Sequence, residues 1–213
     1  MKFEIKSKQL VFATVGILVI KAAIFGYKVY SENHYLKKTQ ELKNDIIIIT
    51  GLSEKVTSEY SDIWRKQIQA VGRSEINVNG RNMYFSDAED ALKYAKGEME
   101  IAGFIFAIDS LSTVITEIMR SITPPPSKYK EFHTTITSLY SDCTHYSSLA
   151  LSPDGSYMSF NIKKSELSSS ISNKVAEISL ALPLKDNLHE IFLEVNQSVI
   201  NQQRLYYEKS SKK

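Results

Sequence analysis

The feature that most constrains this chain is a long apolar run that follows three lysines near the N-terminus. The run covers residues 10–27 and reads LVFATVGILVIKAAIFGY. As a helix that rises about 1.5 Å per residue it reaches roughly 27 Å, close to the roughly 30 Å hydrocarbon core of a bilayer. The sequence therefore predicts a transmembrane anchor over residues 10–27, preceded by a short basic leader over residues 1–9.

Lys21 divides the run and keeps two other interpretations open. Residues 10–20 alone have the length of the apolar core of a signal peptide, and a helix buried in a soluble core has a similar composition. A lysine inside the bilayer costs about 2.5–3.5 kcal/mol on insertion scales, less where its stem lets the ammonium reach an interface. Ala22 and Ala23 follow Lys21 and specify a cleavage site poorly. We expect an uncleaved anchor.

The lysines on the two sides of the run give only a slight orientation bias. Three lie before it, and three follow at positions 28, 37 and 38. An N-terminal anchor preceded by lysines typically keeps its N-terminus in the cytoplasm. We expect a single-pass protein with most of its chain extracytoplasmic. A bundle that faces the cytoplasm and tethers a complex to the membrane is the alternative.

Composition beyond residue 30 indicates a folded domain that is almost neutral. Residues 1–30 hold five of the 26 lysines and arginines and one of the 24 acidic residues, which leaves 21 against 23. Strong binding of nucleic acid needs a clustered excess of cations, so we expect no nucleic-acid partner. Cys143 is the only cysteine, which excludes an intramolecular disulfide and a multi-cysteine metal site.

Apolar residues at intervals of three or four predict a long amphipathic helix after the anchor. It covers about residues 30–71, and no proline separates it from the anchor, so it is expected to continue the anchor as a stalk. Residues 72–85 then contain Asn79 and Gly80, which are typical of a tight hairpin turn, although a plain loop is an equal alternative.

The rest of the chain reads as further helices. Ser86 and Glu89 have the spacing of a capping box, and the apolar face that follows continues as one helix to Ile122, before three prolines. The other predicted elements are helices over residues 129–150 and 159–182, a turn at residues 153–155, and a last helix that begins at Asn187.

These elements predict an all-α fold, with an N-terminal transmembrane helix followed by an antiparallel four- to five-helix up-and-down bundle. The bundle covers residues 28–208, and a short basic tail covers residues 209–213. Trp64, the single tryptophan, is expected to pack against the loop after Gly72, with an exposed anchor for a partner as the alternative.

No motif for catalysis, for a cofactor or for a metal is present, and we predict no site residues of these kinds. Residues 46–53 begin like a strand that enters a phosphate loop, but the second glycine and the lysine are missing. The four histidines have no metal-binding spacing. A ligand site between helices would draw on these aromatic and imidazole side chains: Tyr129, His133, Tyr140 and His145.

Three segments, residues 64–68, 124–130 and 153–161, resemble uncharacterised helical bacterial surface proteins that are anchored by a membrane helix or a lipid. The resemblance implies a bacterial inner or plasma membrane and no particular activity. Together with the missing motifs, it favours a non-catalytic protein-interaction, sensor-like or accessory subunit, which binds another protein or itself. A small-molecule-binding or enzymatic helical domain is the alternative, and no small molecule is identified.

Overall fold

A computed structural model describes the backbone of residues 2–70, 74–78 and 81–182, and the side chains of residues 26–70, 75–77 and 82–182. The prediction of an all-α fold is confirmed, with one small hairpin added. The elements are α1 (Lys2–Gln69), β1 (Ser74–Val78), β2 (Arg81–Phe85), α2 (Ala88–Ile101), α3 (Phe104–Ser121), a 3₁₀ turn (Ser127–Tyr129), α4 (Lys130–Leu151) and α5 (Tyr157–Ala181).

A strict alternation of three- and four-residue steps organises the buried side of α1. This spacing keeps one seam of a helix against its neighbours, as in left-handed bundles whose helices cross at about 20°. The seam therefore explains why a single helix can pack against α3, α4 and α5 along its length. Its members are at most 3% exposed: Tyr35, Thr39, Leu42, Ile46, Ile49, Ser53, Val56, Tyr60 and Ile63.

α1 and α5 run antiparallel. Ser61 of α1 donates a hydrogen bond to Asn161 near the start of α5 at 2.8 Å. Lys43, more than four turns earlier on α1, donates to Ser179 near the end of α5 at 3.2 Å. Residues nearer the end of α5 therefore contact residues nearer the start of α1. α3 and α4 fill the other positions of the bundle, and their bounds and those of α5 confirm the predicted helices apart from one break.

That break corrects the prediction of one helix from residue 88 to Ile122. The chain leaves α2 at Ala102 and enters α3 through Gly103, whose φ is +81°. The axes of the two helices differ by 70°. A left-handed residue ends the hydrogen-bonded ladder of a helix, and glycine adopts this conformation without a Cβ clash. α2 consequently packs on α1, α3 and the hairpin, while α3 runs beside α1.

Two glycine-to-alanine substitutions on this element are expected to have opposite signs. Gly103→Ala forces a Cβ into the left-handed region and should lower the free energy of unfolding by about 1–2 kcal/mol. Gly97→Ala lies inside α2, where an added Cβ meets no atom within 4 Å, and should raise it by about 0.5–1 kcal/mol. Urea titrations followed by circular dichroism measure both. An equal loss in both variants would contradict the bend at Gly103.

The segment between α1 and α2 forms a hairpin, which is one of the two alternatives that its sequence allows. β1 and β2 pair antiparallel, with Ser74 opposite Phe85, and Ile76 is fully buried. The start of α2 corrects the predicted cap by one residue. Asp87, not Ser86, caps the helix, and its carboxylate accepts a hydrogen bond from the backbone N–H of Asp90 at 2.9 Å.

Within the described residues, no single helix is both long and apolar enough to cross a membrane. Only the bent pair of α2 and α3 satisfies those two criteria, and it does so by length and composition alone. Both helices pack against α1, and Ala91, Ala95, Ile108 and Ile115 are buried in the shared core. The pair therefore packs as part of the bundle.

Several predictions fall on side chains or residues that are not described. The side chains of the predicted leader over residues 1–9 and of residues 10–25, most of the predicted anchor, lie outside the described part of the chain. The helix expected from Asn187 and the basic tail at 209–213 lie wholly outside it. These expectations stay predictions.

Candidate functional site

An open groove of about 710 Å³ lies between α4 and α5. It lies on the side of these helices that faces away from α1. Its walls combine both signs of charge with hydroxyl groups and a leucine pair. The lining side chains include Asp142, His145, Ser148, Leu149, Glu166, Leu167 and Ser170.

One end of the groove is closed by a compact charged cluster. The Asp142 carboxylate accepts hydrogen bonds from Ser170 at 2.6 Å and from Lys174 at 2.5 Å. At the other end Lys163 pairs with Asp154 at 3.3 Å, and both of these side chains are exposed. His145 and Glu166 line the space between the two ends. The groove therefore presents paired charges at its ends and exposed titratable groups at its centre.

A second polar cluster lies on the opposite side of α5, where α1, α4 and α5 meet. The Tyr146 hydroxyl donates to one carboxylate oxygen of Glu54. Lys164 and Ser58 contact the other oxygen, at 3.0 Å and 3.2 Å. Burial acts to raise the pKa of Glu54, but the hydrogen bonds from Tyr146 and Lys164 outweigh it and hold the pKa below its ordinary value of 4.5. The cluster thus stabilises a carboxylate that stays charged.

The pH dependence of stability should reveal this carboxylate. A group whose pKa is depressed on folding adds stability above its unfolded pKa, and that stability is lost as the pH falls through the folded value. Glu54→Gln should therefore be less stable than the wild type at neutral pH, and the two proteins should converge below about pH 4.5. Melting temperatures measured across this range test the expectation.

Glu59 provides a matched control on the same helix. Burial raises the pKa of Glu59 above 4.5, against the attraction of Lys66, so its charged form opposes folding. Glu59→Gln should accordingly stabilise the protein at neutral pH, with the gain disappearing in acid. If Glu54→Gln and Glu59→Gln change the melting temperature at neutral pH in the same direction, the environments assigned to the two carboxylates are wrong.

A third cluster closes the base of the bundle, at the end nearest residue 27. Tyr35 is buried, its ring stacks on Tyr129 with centroids 5.2 Å apart, and its hydroxyl lies 3.1 Å from His133 Nδ1. Burial raises the pKa of Tyr35 to about 12 and lowers the pKa of His133. His133 Nε2 also lies 3.4 Å from the Thr123 hydroxyl. These contacts hold the loop between α3 and α4 against α1.

The side chains suggested for a ligand site are therefore divided among three places. Tyr129 and His133 lie together at the base. The hydroxyl of Tyr140 lies 3.0 Å from Thr116 on α3, and His145 lines the groove on the other side of α4. The four do not form one site. No local pattern in the sequence indicates the Glu54 cluster or the contacts of Asp142, because the partners lie on different helices.

The described residues hold no group of three or more histidine, cysteine, aspartate or glutamate side chains that is placed to bind a metal ion. Cys143 is buried, and burial raises the pKa of its thiol to about 12. His145, two residues later, is exposed instead, so the two side chains diverge as predicted.

The ring of Trp64 packs against Phe160 of α5, with centroids 4.9 Å apart. The first residues of the loop after Gly72 lie outside the described part of the chain, so the expected contact with that loop stays a prediction. Trp64 is half-buried and packs against the core near the C-terminal end of α1.

Comparisons with protein-family models, with curated proteins and with solved structures returned no match for this chain.

Proposed function

We propose that the protein is a membrane-anchored helical bundle that serves as a non-catalytic interaction, sensor-like or accessory subunit. The observation that carries the proposal is the continuity of α1. This helix runs from Lys2 to Gln69 without a break, so the apolar run and the central helix of the bundle belong to one element. An anchor built in this way holds the bundle at the bilayer without a flexible linker.

The distance between anchor and core strengthens this proposal. The buried seam of α1 begins at Tyr35, eight residues after Tyr27, which is about 12 Å along a helix. A tilt or rotation of the membrane segment would therefore reach the packed core through one continuous helix. Coupling of this kind suits a sensor-like or accessory subunit better than a freely diffusing enzyme.

The proposed location is a bacterial inner or plasma membrane, crossed once, with the bundle on the extracytoplasmic side. The proposal of a bacterial surface protein rests on the sequence resemblance described above, and the orientation rests on the lysines before the apolar run. A C-terminal reporter that is active only outside the cytoplasm should be active. A signal only from a cytoplasmic reporter would support the alternative of a cytoplasm-facing tether.

The partner is proposed to be another protein or a second copy of this chain. Photo-crosslinking in native membranes, followed by mass spectrometry of the full-length protein, tests this. A probe at Ser148 in the groove and a matched probe at Thr113, which is exposed on α3, compare two faces of the bundle. Repeated absence of any crosslinked partner or dimer from both probes would overturn the interaction proposal.

A ligand-binding function is the second candidate, and the α4–α5 groove favours it. Concave sites with a few converging polar groups are the usual location of small ligands, and His145 and Glu166 face this space. A ligand that binds only the folded state raises the melting temperature. A screen of polar metabolites should therefore find a stabilising compound whose effect is lost in Glu166→Ala and kept in Glu117→Ala, an exposed control on α3.

A further inference from the structure

Basic and aromatic side chains gather at the end of the bundle nearest residue 27. We call this surface the basal collar and define it by residues of α1, of the last turn of α3, of the loop that follows and of the start of α4: Tyr27, Lys28, Tyr30, Arg120, Lys128, Tyr129 and Lys130. We propose that the basal collar binds the anionic phospholipid headgroups around the anchor. This inference rests on the proposed function, because it takes residues 10–27 to lie in the bilayer.

The position of the loop along α1 places it in the headgroup layer. Lys128 Nζ lies 3.8 Å from the carboxylate of Glu32, which is five residues after Tyr27. Five residues of helix advance about 7.5 Å. The polar layer on each side of the hydrocarbon core is roughly 5–8 Å thick. If the hydrocarbon ends near Tyr27, the Lys128 ammonium lies at the depth of the phosphates.

The charge of the collar is complementary to an anionic lipid surface. Arg120 and Lys130 are exposed, and the Lys128 side chain is 64% exposed in spite of its long contact with Glu32. Attraction of this kind acts over about one Debye length, roughly 8 Å at physiological ionic strength. Glu131 is the exposed carboxylate on the same loop and helix start. Among the described residues named here, Lys28, Arg120, Lys128 and Lys130 thus outnumber the carboxylates of Glu32 and Glu131.

The opposite end of the bundle carries charges of both signs. Asp87, Glu89 and Asp90 are exposed where α2 begins. This point is close to the end of α1, because β1 returns the chain and pairs Ser74 with Phe85. Arg65, Lys66 and Lys93 are also exposed at this end, so acidic and basic side chains are mixed there.

Aromatic side chains complete the collar, and packing holds the loop in position. Tyr27 and Tyr30 are 74% and 70% exposed, and tyrosine is enriched where a protein meets the headgroups. Tyr129 stacks on the buried Tyr35, so the loop is fixed on α1 before it meets a lipid. A surface that is already ordered loses little conformational entropy on binding.

The test uses the full-length chain in vesicles of neutral phosphatidylcholine, with or without anionic phosphatidylglycerol. Ser127→Cys provides an exposed label site within the loop, while the native Cys143 is buried. A fluorophore on residue 127 should be quenched by lipids that carry a spin label on the headgroup, and more strongly when phosphatidylglycerol is present. Each basic residue near an anionic surface adds about fivefold to the docked fraction, so Lys128→Gln with Lys130→Gln should lower the docked-to-free ratio about 25-fold.

Lys66→Gln with Lys93→Gln removes the same charge from two exposed positions far from the collar and should leave the quenching unchanged. Circular dichroism checks that each variant is folded. Flotation with neutral vesicles separates the two proposals. If the chain floats with neutral vesicles but its quenching depends neither on phosphatidylglycerol nor on Lys128 and Lys130, the collar proposal is overturned and the anchor proposal stands. A chain that stays in solution with neutral vesicles overturns the anchor. Quenching that appears only with phosphatidylglycerol in such a chain would still support the collar.

Discussion

Replacing Ile17 and Ile20 with aspartate is expected to move the full-length protein from the membrane fraction to the supernatant. Each substitution exchanges a favourable apolar residue for a charge inside the anchor, a change of about 3–4 kcal/mol on insertion scales. Together they oppose insertion by about 6–8 kcal/mol, or roughly 10,000-fold or more in the membrane-to-water ratio. Ultracentrifugation of detergent-free lysates, followed by detection of the C-terminal part, measures the distribution.

Ile17→Leu with Ile20→Leu keeps the apolar character and should remain in the membrane. Trp64 emission and circular dichroism should show that the bundle of both variants stays folded, because residues 17 and 20 precede the buried seam that begins at Tyr35. A wild-type chain in the supernatant would overturn the anchor. A wild-type mature protein that begins near residues 24–28 would replace the anchor with a cleaved signal peptide.

The long helix was the part of the fold most readily predicted, because its pattern is local and repeated. The three- and four-residue steps from Tyr35 to Ile63 recur over more than seven turns, so single polar members such as Thr39 and Ser53 do not obscure them. The turn at Gly155 was also predictable. Its φ of +83° is the conformation that the preceding proline and aspartate make usual for a glycine.

The break between α2 and α3 could not be predicted in the same way. Gly97 and Gly103 both lie in a run whose apolar spacing continues without interruption, and only Gly103 adopts a positive φ. The choice depends on where α3 must turn to descend beside α1, which is a tertiary constraint. The cap of α2 was ambiguous for a different reason. Ser86 and Asp87 are adjacent and both are good N-cap residues. A helix that began one residue earlier would therefore be capped by similar hydrogen bonds.

The contacts within the polar clusters were even harder to predict from the sequence. Glu54 and Lys164 are separated by 110 positions, and nothing near either residue indicates its partner. The two meet because α1 and α5 run antiparallel at one particular register. The same register brings Phe160 to Trp64, a contact between residues 96 positions apart that no local pattern indicates.

The packing of Phe160 leads to the second large expected effect. Its side chain is fully buried, lies edge-on to Tyr60 with centroids 6.5 Å apart, and packs against Trp64. Truncation to alanine removes its contacts and leaves a cavity that close-packed helices fill only in part. We expect Phe160→Ala to lower the free energy of unfolding by about 3–5 kcal/mol, a large share of the roughly 5–15 kcal/mol that stabilises a typical domain.

Urea titration of the full-length chain in detergent, followed by Trp64 fluorescence and by circular dichroism, gives the change in stability. Because Trp64 is the single tryptophan and contacts Phe160, its emission in the native state should also shift in Phe160→Ala. Phe106→Ala makes the same substitution at a side chain on α3 that is 48% exposed and should change the stability by only about 0.5 kcal/mol. Phe160→Leu retains much of the volume and should cost less than Phe160→Ala. If Phe160→Ala and Phe106→Ala lose equal stability, or if Trp64 emission stays the same in Phe160→Ala, then α5 does not pack on α1 in this register.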